Sequence, residues 1–304
     1  MSLAGLPAWE SLKAAAGHPP IKGVQGLAPH GEADRSGIIR GKPNLRILFI
    51  GDIVGAPGRK IVHDRLADIL SQQSIDLCIA NGENAASGFG ITPRLAQELF
   101  ALGIEVITGG NHIWDRKEIF DYFPHEPRLL RPANFPNGSP GSGLYVGSTK
   151  KGARYAVLNL QGRTFMVPIE DPFRTATHEL ERIPPDVKVV LVDMHAEATS
   201  EKQAMGWYLD GKVSAVIGTH THVATADDRV LPGGTAYITD VGMTGPHDSV
   251  IGMEKKGIVQ RFLDAMPSRF AVAENDVQMN TVILEVDEST GRASSIKRFN
   301  YRID

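Results

Sequence analysis

Carboxylates, amides and imidazoles follow the ends of five apolar runs. LRILFIG leads into Asp52, IDLCIANG into Glu83 and Asn84, and IEVITGG into Asn111 and His112. VKVVLVDM leads into His195, and VSAVIGT into His220, with His222 two residues further on. Taken singly, each residue has an ordinary reading. Asp52 suits a helix cap, Glu83 and Asn84 a turn, and His195 a structural role; His220 and His222 suit a surface loop. The set together is different. In extended chain, side chains at i and i+2 point the same way, which predicts His220 and His222 side by side. Nitrogen and oxygen donors without a thiolate suit hydrolytic iron, manganese or zinc rather than structural zinc. Six or more ligands exceed the needs of one open catalytic metal. They fit two metals roughly 3.5–4 Å apart that share a carboxylate and a hydroxide.

The elements that would gather these residues are readable from periodicity. Runs of this length and Val/Ile content, bounded by Gly and polar residues, predict buried strands. Strand 45–50 leads to a helix over 58–72, strand 75–80, a helix opened by Thr92 as N-cap and Pro93 at its first position, and strand 104–108. This βαβαβ order predicts parallel strands with right-handed crossovers. A helix is expected after His112, carrying Trp114, Lys117, Glu118 and Phe120, followed by a Pro- and Gly-rich loop over 124–143. Further strands are predicted at 143–147, 153–159, 187–193, 213–217, 235–238, 268–273 and 279–286, and helices at 173–182, 201–208 and 254–263. Short links among the later strands suggest antiparallel pairs. The pattern gives an α/β protein with two sheets face to face and helices outside. In such sheets ligands bind at the carboxyl ends of the strands.

Composition is that of a soluble globular protein: 42% hydrophobic and 22% charged residues over 304 positions, with a net charge of −3. No basic excess points to a stable nucleic-acid partner, and no apolar stretch has membrane-spanning length. Cys78 is the only cysteine, which fits the reducing cytosol. Residues 1–44 read as a flexible N-terminal extension, Gly-rich and polar in its second half and without a secretory pattern. Residues 45–304 carry the regular pattern. Asp193 and Asp240 also end apolar runs, as caps or as supports for a ligand histidine. Trp114, Phe135 and Trp207 read as packing aromatics, with base stacking as the alternative.

The motifs GDIVGAPGR, NGENAA, GNHIWD, RPANFP, NLQGRTFM, EATSEK, GTHTHV and ITDVGMTGP, spread over residues 45–304, resemble the YmdB-like phosphodiesterases within the calcineurin-like metallophosphoesterase superfamily. The resemblance implies a four-layer α/β/β/α sandwich and a dimetal phosphodiesterase acting on 2′,3′- or 3′,5′-cyclic nucleotides. It implies one metal held by Asp52, Glu83, Asn84 and His222, and another by Glu83, Asn111, His195 and His220. The ions would be iron or manganese, with zinc as the alternative. A metal-bridging hydroxide would attack phosphorus while His112 protonates the leaving oxygen. A small-molecule phosphodiester substrate, a cytoplasmic setting and a homo-oligomer complete the expectation. The chain departs from the superfamily pattern at three positions. Val54 stands where a histidine is usual, so Asn84 takes its place; Glu83 replaces the bridging Asp; Ile113 replaces the acidic residue after the GNH histidine. Asp115, one helical turn along, is expected to orient His112 instead. The alternatives are a phosphomonoesterase, another binuclear metallohydrolase, or a metal-containing nucleotide-binding regulator without turnover.

Overall fold

A computed structural model describes residues 44–267 and 269–302. The extension expected over 1–44 lies outside the described residues, except Asn44, which opens the first strand. In chain order the strands are β1 (Asn44–Ile50), β2 (Asp52–Ile53), β3 (Leu77–Asn81), β4 (Val106–Thr108), β5 (Leu144–Ser148), β6 (Arg154–Gln161), β7 (Val189–His195), β8 (Ala215–Thr219), β9 (Arg229–Val230), β10 (Ala236–Ile238), β11 (Met243–Pro246), β12 (Val277–Asp287) and β13 (Ala293–Arg302). The helices are α1 (Gly55–Gln72), α2 (Pro93–Ala101), α3 (Ile119–Tyr122), α4 (Pro172–Glu181), α5 (Thr199–Leu209) and α6 (Lys255–Asp264).

The first βαβαβ stretch folds as its periodicity requires. Strands β1, β3 and β4 are parallel neighbours. Helix α2 starts where Thr92 accepts a hydrogen bond from the Leu95 N–H at 3.3 Å, with Pro93 at a position where its missing N–H costs nothing. Among the described residues one sheet runs β2-β11-β12-β1-β3-β4, with β13 added beside β12; the other runs β5-β6-β7-β8-β10-β9. Their facing sides share one core, in which Ile47, Phe49 and Leu284 of the first sheet meet Val157, Leu191 and Ile217 of the second. A second core joins the outer face of the first sheet to α1 and α2, and a third joins the outer face of the second sheet to α4 and α5. The result is the four-layer α/β/β/α arrangement that the resemblance implied.

Short links among the later strands do join antiparallel pairs, at β5–β6, β9–β10 and β12–β13. Strands β6, β7, β8 and β10 are parallel neighbours, with α4 and α5 as crossovers between β6, β7 and β8. Two expectations are corrected. The helix expected after His112 is reduced to α3, because residues 111–118 turn back on themselves. The Asp115 N–H bonds to the His112 carbonyl, and Trp114 is wedged among Phe120, Phe123 and Phe135. Of the run expected as a strand over 268–273, the described residues 269–273 join neither sheet. Their backbone pairs instead with 252–254, through Glu254 N–H to Ala271 O and Ala273 N–H to Gly252 O.

One buried ion pair ties α5 to the sheet. Lys202 is fully buried, and its Nζ lies 2.6 Å from Asp240 Oδ2, just past β10. The same Oδ2 accepts from the Thr221 N–H at 3.1 Å and the Thr221 hydroxyl at 2.8 Å, while Oδ1 accepts from the Gly242 N–H at 2.8 Å. Removing the ammonium leaves a carboxylate without its counter-charge in a dry interior. Lys202→Met is therefore expected to lower unfolding free energy by about 3 to 5 kcal/mol in urea titration. A loss below about 1 kcal/mol would mean the pair is not electrostatically buried.

Candidate metal centre

Four of the expected ligands come from the first sheet and three from the second. Asp52 opens β2, Glu83 and Asn84 follow β3, and Asn111 follows β4; His195 ends β7, and His220 and His222 follow β8. The two sheets present these strand ends to one cleft. His195 Nε2 lies 3.0 Å from Glu83 Oε1, 3.0 Å from Asn111 Oδ1 and 3.0 Å from His220 Nδ1. Ligand atoms of Glu83, His195 and His220 all lie within 4.8 Å of one another. His222 Nε2 lies 3.2 Å from Asn84 Oδ1. Asp52 Oδ2 is 3.3 Å from the His220 N–H, while its Oδ1 is buried with no hydrogen-bond partner.

The tautomers follow from the partners on the far side of each ring. His195 Nδ1 is 2.9 Å from Thr219 Oγ1, whose own hydrogen goes to Asp193 at 2.6 Å. Nδ1 is then the protonated nitrogen and Nε2 presents a lone pair inward. His220 Nε2 is 3.1 Å from Glu197 Oε2, leaving Nδ1 free toward the cluster. His222 Nδ1 is 2.9 Å from the Ile251 carbonyl, leaving Nε2 free. Asn84 Nδ2 donates to Gly88 O at 2.9 Å, which turns its oxygen inward. Carboxylate, amide and imidazole lone pairs thus face one another with few hydrogens between them. Such an arrangement suits a cation, and the orphaned oxygen of Asp52 suits one further.

Close approach depends on Gly110. A Cβ there would sit 2.2 Å from His195 Nε2 and 2.4 Å from Glu83 Oε2. The backbone of the β4 loop can pass beside the ligand atoms only without a side chain.

The electrostatics of the protein groups alone reflect the same crowding. Burial works against a charge on His195, but Glu83, Asp52 and Asp193 outweigh it and push the imidazole up to about 9. Burial likewise opposes ionisation of Glu83, yet the His195 charge and hydrogen bond, with the His112 N–H, hold it at about 2. Burial and then the His195 charge press His220 down to about 3. Burial raises Asp193 to about 6, against the pull of His195, Thr108 and Thr219. Burial also raises Asp52, with His222 and His195 opposing it.

The backbone geometry of GTHTH differs from the extended chain expected. His220 has φ 96° and His222 φ 64°, so the two rings converge through a left-handed loop rather than by strand alternation. Non-glycine residues hold such φ values only under compensation from surrounding contacts. Here the bonds of Thr221 to Asp240 supply it. Asp240 thus supports the histidine loop through Thr221, and Asp193 reaches His195 through Thr219. Asp115 Oδ2 lies 2.9 Å from His112 Nδ1, across the turn rather than along a helix. Glu197 and Lys202 begin and end the EATSEK motif and Thr219 lies within GTHTHV, but the sequence assigns none of the three a role of its own.

A two-sheet sandwich with these donors at its strand ends defines a metallophosphoesterase-like protein. Residues 48–299 match the family described as YmdB-like protein. The chain belongs to the YmdB-like family. It is 50% identical over 255 residues to a Bacillus subtilis (strain 168) protein named 2′,3′-cyclic-nucleotide 2′-phosphodiesterase, covering 84% of this chain and 96% of that one. Two solved structures are similar. A hypothetical protein from Thermus thermophilus superposes with a TM-score of 0.80 and 42% identity, covering 86% of this chain and 100% of that one. A phosphatase from Mycoplasma pneumoniae gives a TM-score of 0.81 and 34% identity, covering 86% and 95%.

Two measurements test the site. Gly110→Ala should abolish metal retention, read by elemental analysis; wild-type metal content in that variant would show that the ligands close elsewhere. In chelator-treated protein, stability should fall as pH rises from about 6.5 through about 9. The sign follows from His195: its folded value lies above the ordinary 6.5, so its proton stabilises the fold below 6.5 and that contribution is lost through about 9. Asp193 and His220 titrate below this window. A flat stability profile across it would contradict the burial of this imidazolium among carboxylates.

Proposed function

We propose that this chain is a metal-dependent phosphodiesterase that hydrolyses cyclic nucleotides, 2′,3′-cyclic phosphates foremost, with residues 45–304 as the catalytic domain. The reading is carried by the convergence of Glu83, Asn111 and His220 on His195 Nε2 beside His112. The named activity of the Bacillus relative supports the substrate class.

Asp52, Glu83, Asn84 and His222 would hold one cation, and Glu83, Asn111, His195 and His220 a second. When bound, two ions of iron or manganese, with zinc as the alternative, supply an acidified water and take up charge on the phosphoryl oxygens. The protein's own groups do the rest. Thr219, Glu197 and the Ile251 carbonyl fix the three imidazoles in ligating orientation. His112 lies at the cleft, and its main-chain N–H holds Glu83 Oε2 at 2.9 Å. With its Nδ1–H donated to Asp115, the remaining nitrogen, Nε2, delivers a proton to the departing alkoxide oxygen. The Asp115 carboxylate fixes the ring in that orientation. The buried thiol of Cys78 in β3 suits a cytosolic enzyme. The exposed apolar residues Val259, Leu263 and Met266, on α6 and just past its end, suit self-association.

His112→Ala should lower kcat for a 2′,3′-cyclic nucleotide by about 10²- to 10⁴-fold with metal content unchanged. Loss of metal together with activity would make His112 a ligand. Faster cleavage of an aryl phosphomonoester than of any cyclic nucleotide would move the chain to the phosphomonoesterases.

A further inference from the structure

The donor cluster occupies one end of a cleft of about 830 Å³, and the other end is apolar. Phe89, Ile251, Met253 and Phe270 line it, with Arg261 beside them. This wall begins at the catalytic groups themselves. The Phe89 ring meets the His112 imidazole edge-on, with centroids 5.0 Å apart. Ile251 accepts the bond from His222 through its carbonyl, and its side chain is half exposed. The Arg261 guanidinium sits 5.2 Å from the centre of the Phe270 ring. Gly88 lets the wall close up, since a Cβ there would meet Met253 Cε at 2.5 Å.

We infer that this wall is a nucleobase subsite, in which Phe270, backed by Arg261, stacks on the base while Phe89 and Ile251 bound the ribose. The inference rests on the phosphodiesterase reading above and names the part of the substrate that reading leaves open. A phosphate held at the donor cluster leaves its ester substituent in the same continuous space. That space offers mainly flat rings and aliphatic side chains, with the Arg261 guanidinium beside them, which is the surface that stacking uses and that tolerates any base. A pocket of this size, apolar with a few convergent polar groups at one end, suits a whole mononucleotide. Phe262, exposed on α6, lines the same cleft and extends the apolar wall; Trp114 and Phe135 pack against each other, with Trp114 also against Phe123, and do not line it.

The test compares adenosine 2′,3′-cyclic phosphate with the base-free methyl riboside 2,3-cyclic phosphate on the full chain. The ratio of the two kcat/KM values cancels any difference in the fraction folded. Wild type should prefer the nucleotide by about 5- to 150-fold, the range of a single base stack. Phe270→Ala should collapse that ratio, and Phe270→Tyr should keep it. A wild-type ratio near one, or a ratio unchanged in Phe270→Ala, overturns the subsite. If wild type cleaves neither ester, the phosphodiesterase reading fails on its own, and calorimetry with adenosine 3′-phosphate against methyl riboside 3-phosphate decides the subsite. A preference for the nucleotide that disappears in Phe270→Ala upholds it; equal binding overturns it.

Discussion

The structure depends on holding electron-pair donors against one another. Glu83, Asn111 and His220 all approach His195 Nε2 at 3.0 Å. In water such groups would turn away or capture protons. Here each is locked from behind. Thr219 and Asp193 fix His195, Glu197 fixes His220, the Ile251 carbonyl fixes His222, and the Gly88 carbonyl fixes Asn84. Among the protein groups themselves, a proton on His195 answers the charge that this crowding demands. A cation would meet it better, because it accepts several lone pairs at once.

The scaffold is arranged around this need. Parallel strands deliver their carboxyl ends to a common edge, and two sheets packed face to face deliver two such edges to one cleft. The apolar faces of β1, β3, β7 and β8 form the layer between the sheets, so the site is set by a close-packed interior. Part of the backbone strain in the fold lies at the site. His220 and His222 adopt left-handed backbone, and the buried Lys202–Asp240 pair holds the residue between them. Ion pairs of this kind add little net stability, but breaking one is costly. Its value here lies in the position of Thr221.

Much of this was legible in the sequence because the signals were periodic. The apolar runs gave β1, β3, β7 and β8 within two or three residues, and Thr92-Pro93 marked the start of α2. Asp52, Glu83, Asn84, Asn111, His195, His220 and His222 were named from their positions after those runs, and the fold brings them together. Other features were not legible. β2 and β9 are two-residue strands, too short to leave a period. β13 pairs along its length with β12 but alternates weakly, since its outer face is solvated. In GTHTH the sequence places His220 and His222 together, but by strand alternation, whereas the chain turns there. Glu197 and Phe270 matter through tertiary neighbours that the sequence does not display.

Because the proposed ligands are divided between the two sheets, any ion seated there would also act as a rivet. Asp52, Glu83, Asn84 and Asn111 belong to one layer, and His195, His220 and His222 to the other. Ion binding to the native form alone adds to its stability by mass action. Scarcity of the ion would then loosen the seam between the layers as well as silence the chemistry.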